Sequence, residues 1–198
     1  MISSVNRPQP QYIRPSRMPR EFTVGIPTDR FERQSGPQSV GLQRMQNWCW
    51  AACIQMVLNF HGVMVRQEDL VQQRFGALID RPACPREILS SLTGNGPDVW
   101  GGRSVVFPET GHLDQEAILQ ELEAQNPLIV GLQQPHGGGH AYVLTAGSYQ
   151  FDGSGRRRLH SVVLRNPYPG TRSREEMSMQ EFSQRCTFAT RVHVVRQS

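Results

Sequence analysis

Apolar residues crowd one stretch of the chain, Asn47 to Phe60 (NWCWAACIQMVLNF), where past the first residue only Gln55 and Asn59 are strongly polar. A helix that is apolar on nearly every face belongs in the middle of a domain. Asn47 is suited to cap its start, and Gly62 stands just past its end. The spacing predicts two shorter helices, around Gln67 to Phe75 and Pro85 to Leu92. A third, Leu113 to Ala124, carries Ile118, Leu119 and Leu122 at helical intervals. The second half of the chain changes period. Leu128 to Leu132 (LIVGL) reads as a buried strand, and His140 to Tyr149 and Leu159 to Arg165 as two more, joined across Asp152, Gly153, Ser154 and Gly155. A short helix near Arg174 to Arg185 and a last strand, Phe188 to Val195, follow. Helices first and antiparallel strands afterwards predict an α+β domain of two lobes: a central buried helix in one and an antiparallel sheet in the other.

The chain's 198 residues, 37% of them hydrophobic, suffice for one core and a tail. Residues 1–38 hold six prolines and six arginines and few apolar side chains, so a flexible arm is expected there, fit to serve as a leader or a removable pro-segment. Order is expected to begin near Val40, with the folded domain over 39–198. The first twenty residues lack the apolar region of a Sec-type signal peptide, and no apolar run approaches the length of a membrane span. The expectation is a cytoplasmic protein, or one exported by another route into a host cell, with no membrane partner. The net charge of +4 is too weak to argue for nucleic acid, and the run Arg156 to Arg158 reads as a solvated loop tip. All 21 basic residues are arginine. Genomic base composition explains this, and avoidance of lysine modification is the sharper alternative. The four cysteines, Cys49, Cys53, Cys84 and Cys186, form no CxxC pair, so reduced thiols are expected and a zinc site is not. No metal or organic cofactor is called for.

Cys49 falls in the first turn of the buried helix, where unpaired backbone N–H groups and the helix dipole favour a thiolate. A neighbouring imidazolium would favour it further, which makes Cys49 the candidate nucleophile. Cys53, one turn deeper, fits a plain core residue better. Gln43 lies six residues before Cys49 in a loop entering the helix. There its carboxamide and the N–H of Cys49 could donate to the oxyanion of an acyl-transfer intermediate, with Gln46 as rival donor. The candidate base comes from strand register. With a hairpin turning at Gly153 and Ser154, facing residue numbers sum to about 307, which sets His140 against Asn166 or Pro167. An asparagine there would accept from one imidazole nitrogen and leave the other for Cys49. His136, in the run PHGGGH, competes with His140 but has no fixed orientation. The three glycines before His140 would allow close approach of substrate or movement of a loop.

The blocks NWCWAAC after Gln43, GGGHAYVL and LRNPYPG together resemble the papain superfamily, over about residues 40 to 195. The pattern is most similar to its small bacterial branch, which includes papain-like type III effector proteases and the peptidase domains of bacteriocin exporters. The resemblance implies a papain-like two-lobe fold and a cysteine peptidase acting on a protein or peptide substrate. It also implies Cys49 as nucleophile, His140 as base, Asn166 as orienting residue, Gln43 in the oxyanion hole, and Trp50 packed beneath the site. His140 follows Cys49 by 91 residues, fewer than in plant and lysosomal enzymes, so the strand lobe is abbreviated. The same triad could serve an acyl transferase, a deamidase or a transglutaminase-like toxin. A non-enzymatic interaction module is the third alternative.

Overall fold

The computed structural model describes residues 21–36, 41–97, 103–110 and 114–197. The first twenty residues of the expected arm, Val40, and Leu113 at the start of the third shorter helix lie outside the described residues.

The elements run β1 (Phe22–Gly25), α1 (Thr28–Ser35), α2 (Cys49–Phe60), α3 (Gln67–Phe75), α4 (Pro85–Ser91), β2 (Gly94–Pro97), β3 (Arg103–Glu109), α5 (Gln115–Glu123) and β4 (Leu128–Gln133). They continue with β5 (Gly139–Phe151), β6 (Arg157–Arg165), β7 (Arg174–Ser178), α6 (Met179–Arg185) and β8 (Cys186–Gln197). The strands form one antiparallel sheet in the order β2-β3-β8-β4-β5-β6-β7, and β1 pairs with the far half of β5. The fold is α+β, with helices packed against an antiparallel sheet.

Helix α2 is buried along its whole length except at Cys49. Its two polar side chains are bonded rather than stranded. Gln55 Nε2 donates to Val65 O at 2.8 Å, and Asn59 Nδ2 donates to Ser35 O at 3.2 Å. Buried carboxamides are tolerable only on such terms, and here they tie the segments flanking α2 to its side. The start of α2 differs from expectation. Trp48, not Asn47, occupies the cap position, with no side-chain cap, and Asn47 turns away so that its backbone N–H meets Asp80 Oδ1 at 2.8 Å.

The apolar run of β4 reflects a sheet covered on both sides. Leu128, Val130 and Leu132 pack with Ile118, Leu119 and Leu122 of α5 and Phe182 of α6. Ile129, between them, packs with Ala141 and Val143 of β5 and with Ile54 of α2. Alternation along a strand sends successive side chains to opposite faces, and when both faces are dry the sequence reads as continuously apolar.

Three expectations are corrected. The segment Arg174 to Arg185 is not all helix: Arg174–Ser178 forms β7 against β6, and only Met179–Arg185 is helical. Ser178 caps that helix by accepting from Glu181 N at 3.1 Å. The strands β2 and β3, not foreseen, extend the sheet beyond β8. Residues 22–35, expected within the arm, form β1 and α1. Phe31 is 2% exposed and stacks on Phe60 of α2, while the buried guanidinium of Arg165 donates to Thr28 Oγ1 at 2.9 Å and lies 3.6 Å from Glu32. Few apolar residues mark this stretch, but one deeply buried aromatic and one buried arginine suffice to seat it.

Candidate active site

Cys49 opens α2, at the edge of the buried helix, and its sulfur is only partly accessible. The backbone N–H groups of Ala141, the residue after His140, and of Trp50 and Cys49 itself favour its thiolate. The helix start therefore abuts the first residues of β5. Burial nevertheless pushes the Cys49 thiol above its ordinary range, and these three donors only oppose the shift. The lowering expected from the helix terminus is outweighed by burial.

His140 sits near the start of β5, paired through its backbone with Leu132 of β4 rather than with β6. The β5–β6 hairpin carries two irregularities, between Leu144 and Ala146 and between Ser148 and Tyr149, and its pairing stops at Val143–Arg165. Asn166 has left the strand, yet its side chain reaches back: His140 Nε2 and Asn166 Oδ1 are 2.9 Å apart. The expected pair meets through side chains, without facing backbone positions. Asn166 is 7% exposed and makes two further bonds through its carboxamide, with Oδ1 also accepting from Tyr168 N at 2.9 Å and Nδ2 donating to Glu175 Oε1 at 2.6 Å. The ring of His140 lies edge-on to Tyr142 at 4.8 Å and to Tyr168 at 6.3 Å between centroids. Burial lowers the His140 pKa, whereas the Asn166 bond and the charge of Glu175 raise it. Thiol and imidazole are each held toward neutrality by burial, so a charged pair must draw on their mutual attraction.

Gln43 is 5% exposed, and its backbone N–H donates to Pro167 O at 2.8 Å. That bond joins the loop entering α2 to the Asn166–Pro167 turn. Its Nε2 donates to Gln46 O at 2.7 Å and Met45 O at 3.1 Å, while Oε1 is buried without a partner. Gln46, the rival donor, is exposed on the same loop. The start of α2 is also tied to the segment after α3: Trp48 Nε1 donates to Ile79 O at 2.8 Å and Trp50 Nε1 to Arg81 O at 3.2 Å. Trp50 is 1% exposed and meets Phe75 edge-on. Leu78 and Ile79 are left facing solvent beside it.

The glycines before His140 have a local task. Gly137 and Gly138 adopt φ of 91° and 79°, closing the β4–β5 turn in which Gln134 N donates to Gly138 O at 2.9 Å. His136 is exposed on that turn. Sequence reasoning missed Asp80 and Glu175. Asp80 had no signal in the pattern, and Glu175 was hidden by the helix expected over its segment. Among the described residues no group of three or more His, Cys, Asp or Glu could hold a metal ion, and no helix is long and apolar enough to cross a membrane.

A central helix beginning at a cysteine, laid against an antiparallel sheet that presents a histidine bonded to an asparagine, defines the class: a papain-like cysteine protease, a hydrolase. The chain belongs to the family described as papain-like cysteine protease AvrRpt2, whose model matches residues 30–187. No curated protein matches the sequence.

Proposed function

We propose that the protein hydrolyses peptide or isopeptide bonds with Cys49 as nucleophile, His140 as general base and acid, Asn166 as orienting residue and Gln43 at the oxyanion. His140 Nε2–H rests on Asn166 Oδ1, leaving Nδ1 to take the thiol proton as the sulfur attacks the substrate carbonyl carbon. Collapse of the tetrahedral intermediate breaks the C–N bond, and Nδ1 returns its proton to the leaving amine. Water then cleaves the thioester by the same base, restoring the thiol and releasing the acid. The backbone N–H of Cys49 is one oxyanion donor. Gln43 Nε2 becomes the second by exchanging its longer bond, to Met45 O, for the substrate oxygen.

The observation that carries this reading is the 2.9 Å His140–Asn166 bond, made on the strand whose next residue, Ala141, lies in the core cluster against which Cys49 packs. Family membership favours a protein substrate and supports an effector role, with the protease acting on proteins of another cell. The test is incubation of the wild type and Cys49→Ala with a proteome, followed by mapping of new N-termini. New termini that depend on Cys49 are expected. Substrates left whole but changed in mass would move the assignment to acyl transfer or deamidation, and no Cys49-dependent change at all would refute the catalytic reading.

A further inference from the structure

Asn166 has a second partner that bears on the chemistry. Its Nδ2 donates to Glu175 Oε1 at 2.6 Å, while its Oδ1 accepts from both Tyr168 N and His140 Nε2 at 2.9 Å. A backbone N–H can only donate, and an ionised carboxylate can only accept. Tyr168 therefore calls for the oxygen of the carboxamide on one side, and Glu175 calls for its nitrogen on the other. The orientation of the Asn166 amide is set by these two groups before His140 is considered.

We infer that Glu175 is a positioning residue of the active site, fixing the Asn166 carboxamide so that it accepts from His140 Nε2 and so selects the imidazole tautomer that can receive the thiol proton. The inference rests on the cysteine-protease reading given above and deepens it.

The chain of consequence is short. With Oδ1 toward the ring, Nε2 must carry the hydrogen, and Nδ1 keeps the lone pair that the thiol proton requires. With the amide reversed, Nδ2 would donate to Nε2 and the hydrogen would move to Nδ1, leaving an imidazole that cannot accept from Cys49. Tautomer choice by the far partner of an imidazole is a general device; here it depends on a group two bonds removed.

The fold holds Glu175 to this task. It lies half-buried on β7, opposite Leu164 of β6. Two residues further, where Asn166 leaves the strand, its backbone N–H donates to Ser173 O at 2.9 Å. That bond continues the ladder past the end of β6 and keeps the two side chains beside each other. The carboxylate also places a negative charge near the imidazole at the moment it becomes positive, which a neutral asparagine alone does not.

The test uses the full chain as wild type, Cys49→Ala, Glu175→Ala, Glu175→Gln, Asn166→Asp and the double variant Asn166→Asp/Glu175→Gln. kcat and KM are measured on a peptide spanning a mapped cleavage site, and Cys49 alkylation by iodoacetamide is followed in parallel by mass spectrometry. Glu175→Ala is expected to lower kcat about tenfold and leave KM within about twofold, with a smaller loss for Glu175→Gln, which keeps an acceptor oxygen. Asn166→Asp sets two carboxylates against each other and is expected to lose roughly a hundredfold at neutral pH. Adding Glu175→Gln, whose amide donates to the new carboxylate, is expected to restore activity to within about tenfold of wild type. Three results would overturn the assignment: a wild-type kcat for folded Glu175→Ala, a double variant no faster than Asn166→Asp, or alkylation rates that ignore the Glu175 and Asn166 substitutions. If wild type cleaves, Cys49→Ala does not and the Glu175 series is flat, only the positioning role falls. If wild type and Cys49→Ala behave alike, the protease reading falls.

Discussion

His61 closes the C-terminal end of α2, and its environment makes acid a specific threat to that helix. Its Nε2 is buried with no hydrogen-bond partner, and its ring meets Phe60 edge-on at 5.3 Å. Burial first, and then the charge of nearby His193, lower its pKa from 6.5 to about 4. His193 itself sits 2.9 Å from Glu109 and stacks on Phe107. A helix C-terminus favours a protonated histidine, but only by about a kcal/mol at the surface, and here desolvation wins. In the unfolded chain His61 takes up a proton as pH falls below about 6.5, whereas in the folded protein it resists until about 4, so acid favours unfolding. The stability is fully present above the unfolded value and is lost as pH falls toward the folded one. Between about pH 7 and pH 5 the linkage costs roughly 2 kcal/mol, approaching about 3 kcal/mol below pH 4. Urea unfolding of wild type and His61→Leu at both pH values reads this out. His140, whose pKa burial also lowers, acts in both proteins and cancels in the comparison. Wild type should lose roughly 2 kcal/mol more than His61→Leu over that interval. Parallel losses in the two proteins would refute the reasoning.

Cys49 should be alkylated by iodoacetamide far faster than Cys53, which is 0% exposed and whose thiol burial holds well above its ordinary pKa; peptide mapping at short times checks it, and equal rates would count against an activated thiol. His140→Ala should abolish turnover and Asn166→Ala should lower kcat by about ten- to a hundredfold, the worth of one hydrogen bond to a charged ring; an active His140→Ala would move the base elsewhere. Gln43→Ala should lower both kcat and thermal stability, because it strips the Gln46 and Met45 carbonyls of their donor; unchanged stability would mean that the loop does not depend on these bonds. Gly25→Ala should destabilise by more than about 1 kcal/mol, since Gly25 has φ of 120° and an added Cβ would fall 2.4 Å from Thr145 O; an unshifted melting curve would show that β1 contributes little.

The helices and the main strands were legible because each carries its own period. α2 is apolar all round, α5 shows Ile118, Leu119 and Leu122 on one face, and β4 is an unbroken apolar run, so each element announces its type and its burial. β7 was not legible. REEMS has no apolar alternation to mark it, and it is a strand only because β6 offers a free edge beside it. β1 and α1 were hidden for a related reason: their seat is made by Phe31 and by Arg165, which is 137 positions beyond Thr28.

The candidate site divides along the same line. The local sequence alone determined which side chains are chemically able, namely a cysteine at a helix start, a histidine at a strand start, an asparagine before a proline and a glutamine in a helix-entry loop. Only the tertiary structure decided how they are held. It carried Asn166 off its strand to meet His140 and brought Glu175 to the far side of Asn166. It also bound Gln43 to the Pro167 turn, and it buried Cys49 enough to raise its thiol rather than lower it. The physical reason is that propensity and periodicity act over a few residues. Hydrogen-bond direction and desolvation, in contrast, are set by whichever distant segments the packed sheet brings into contact.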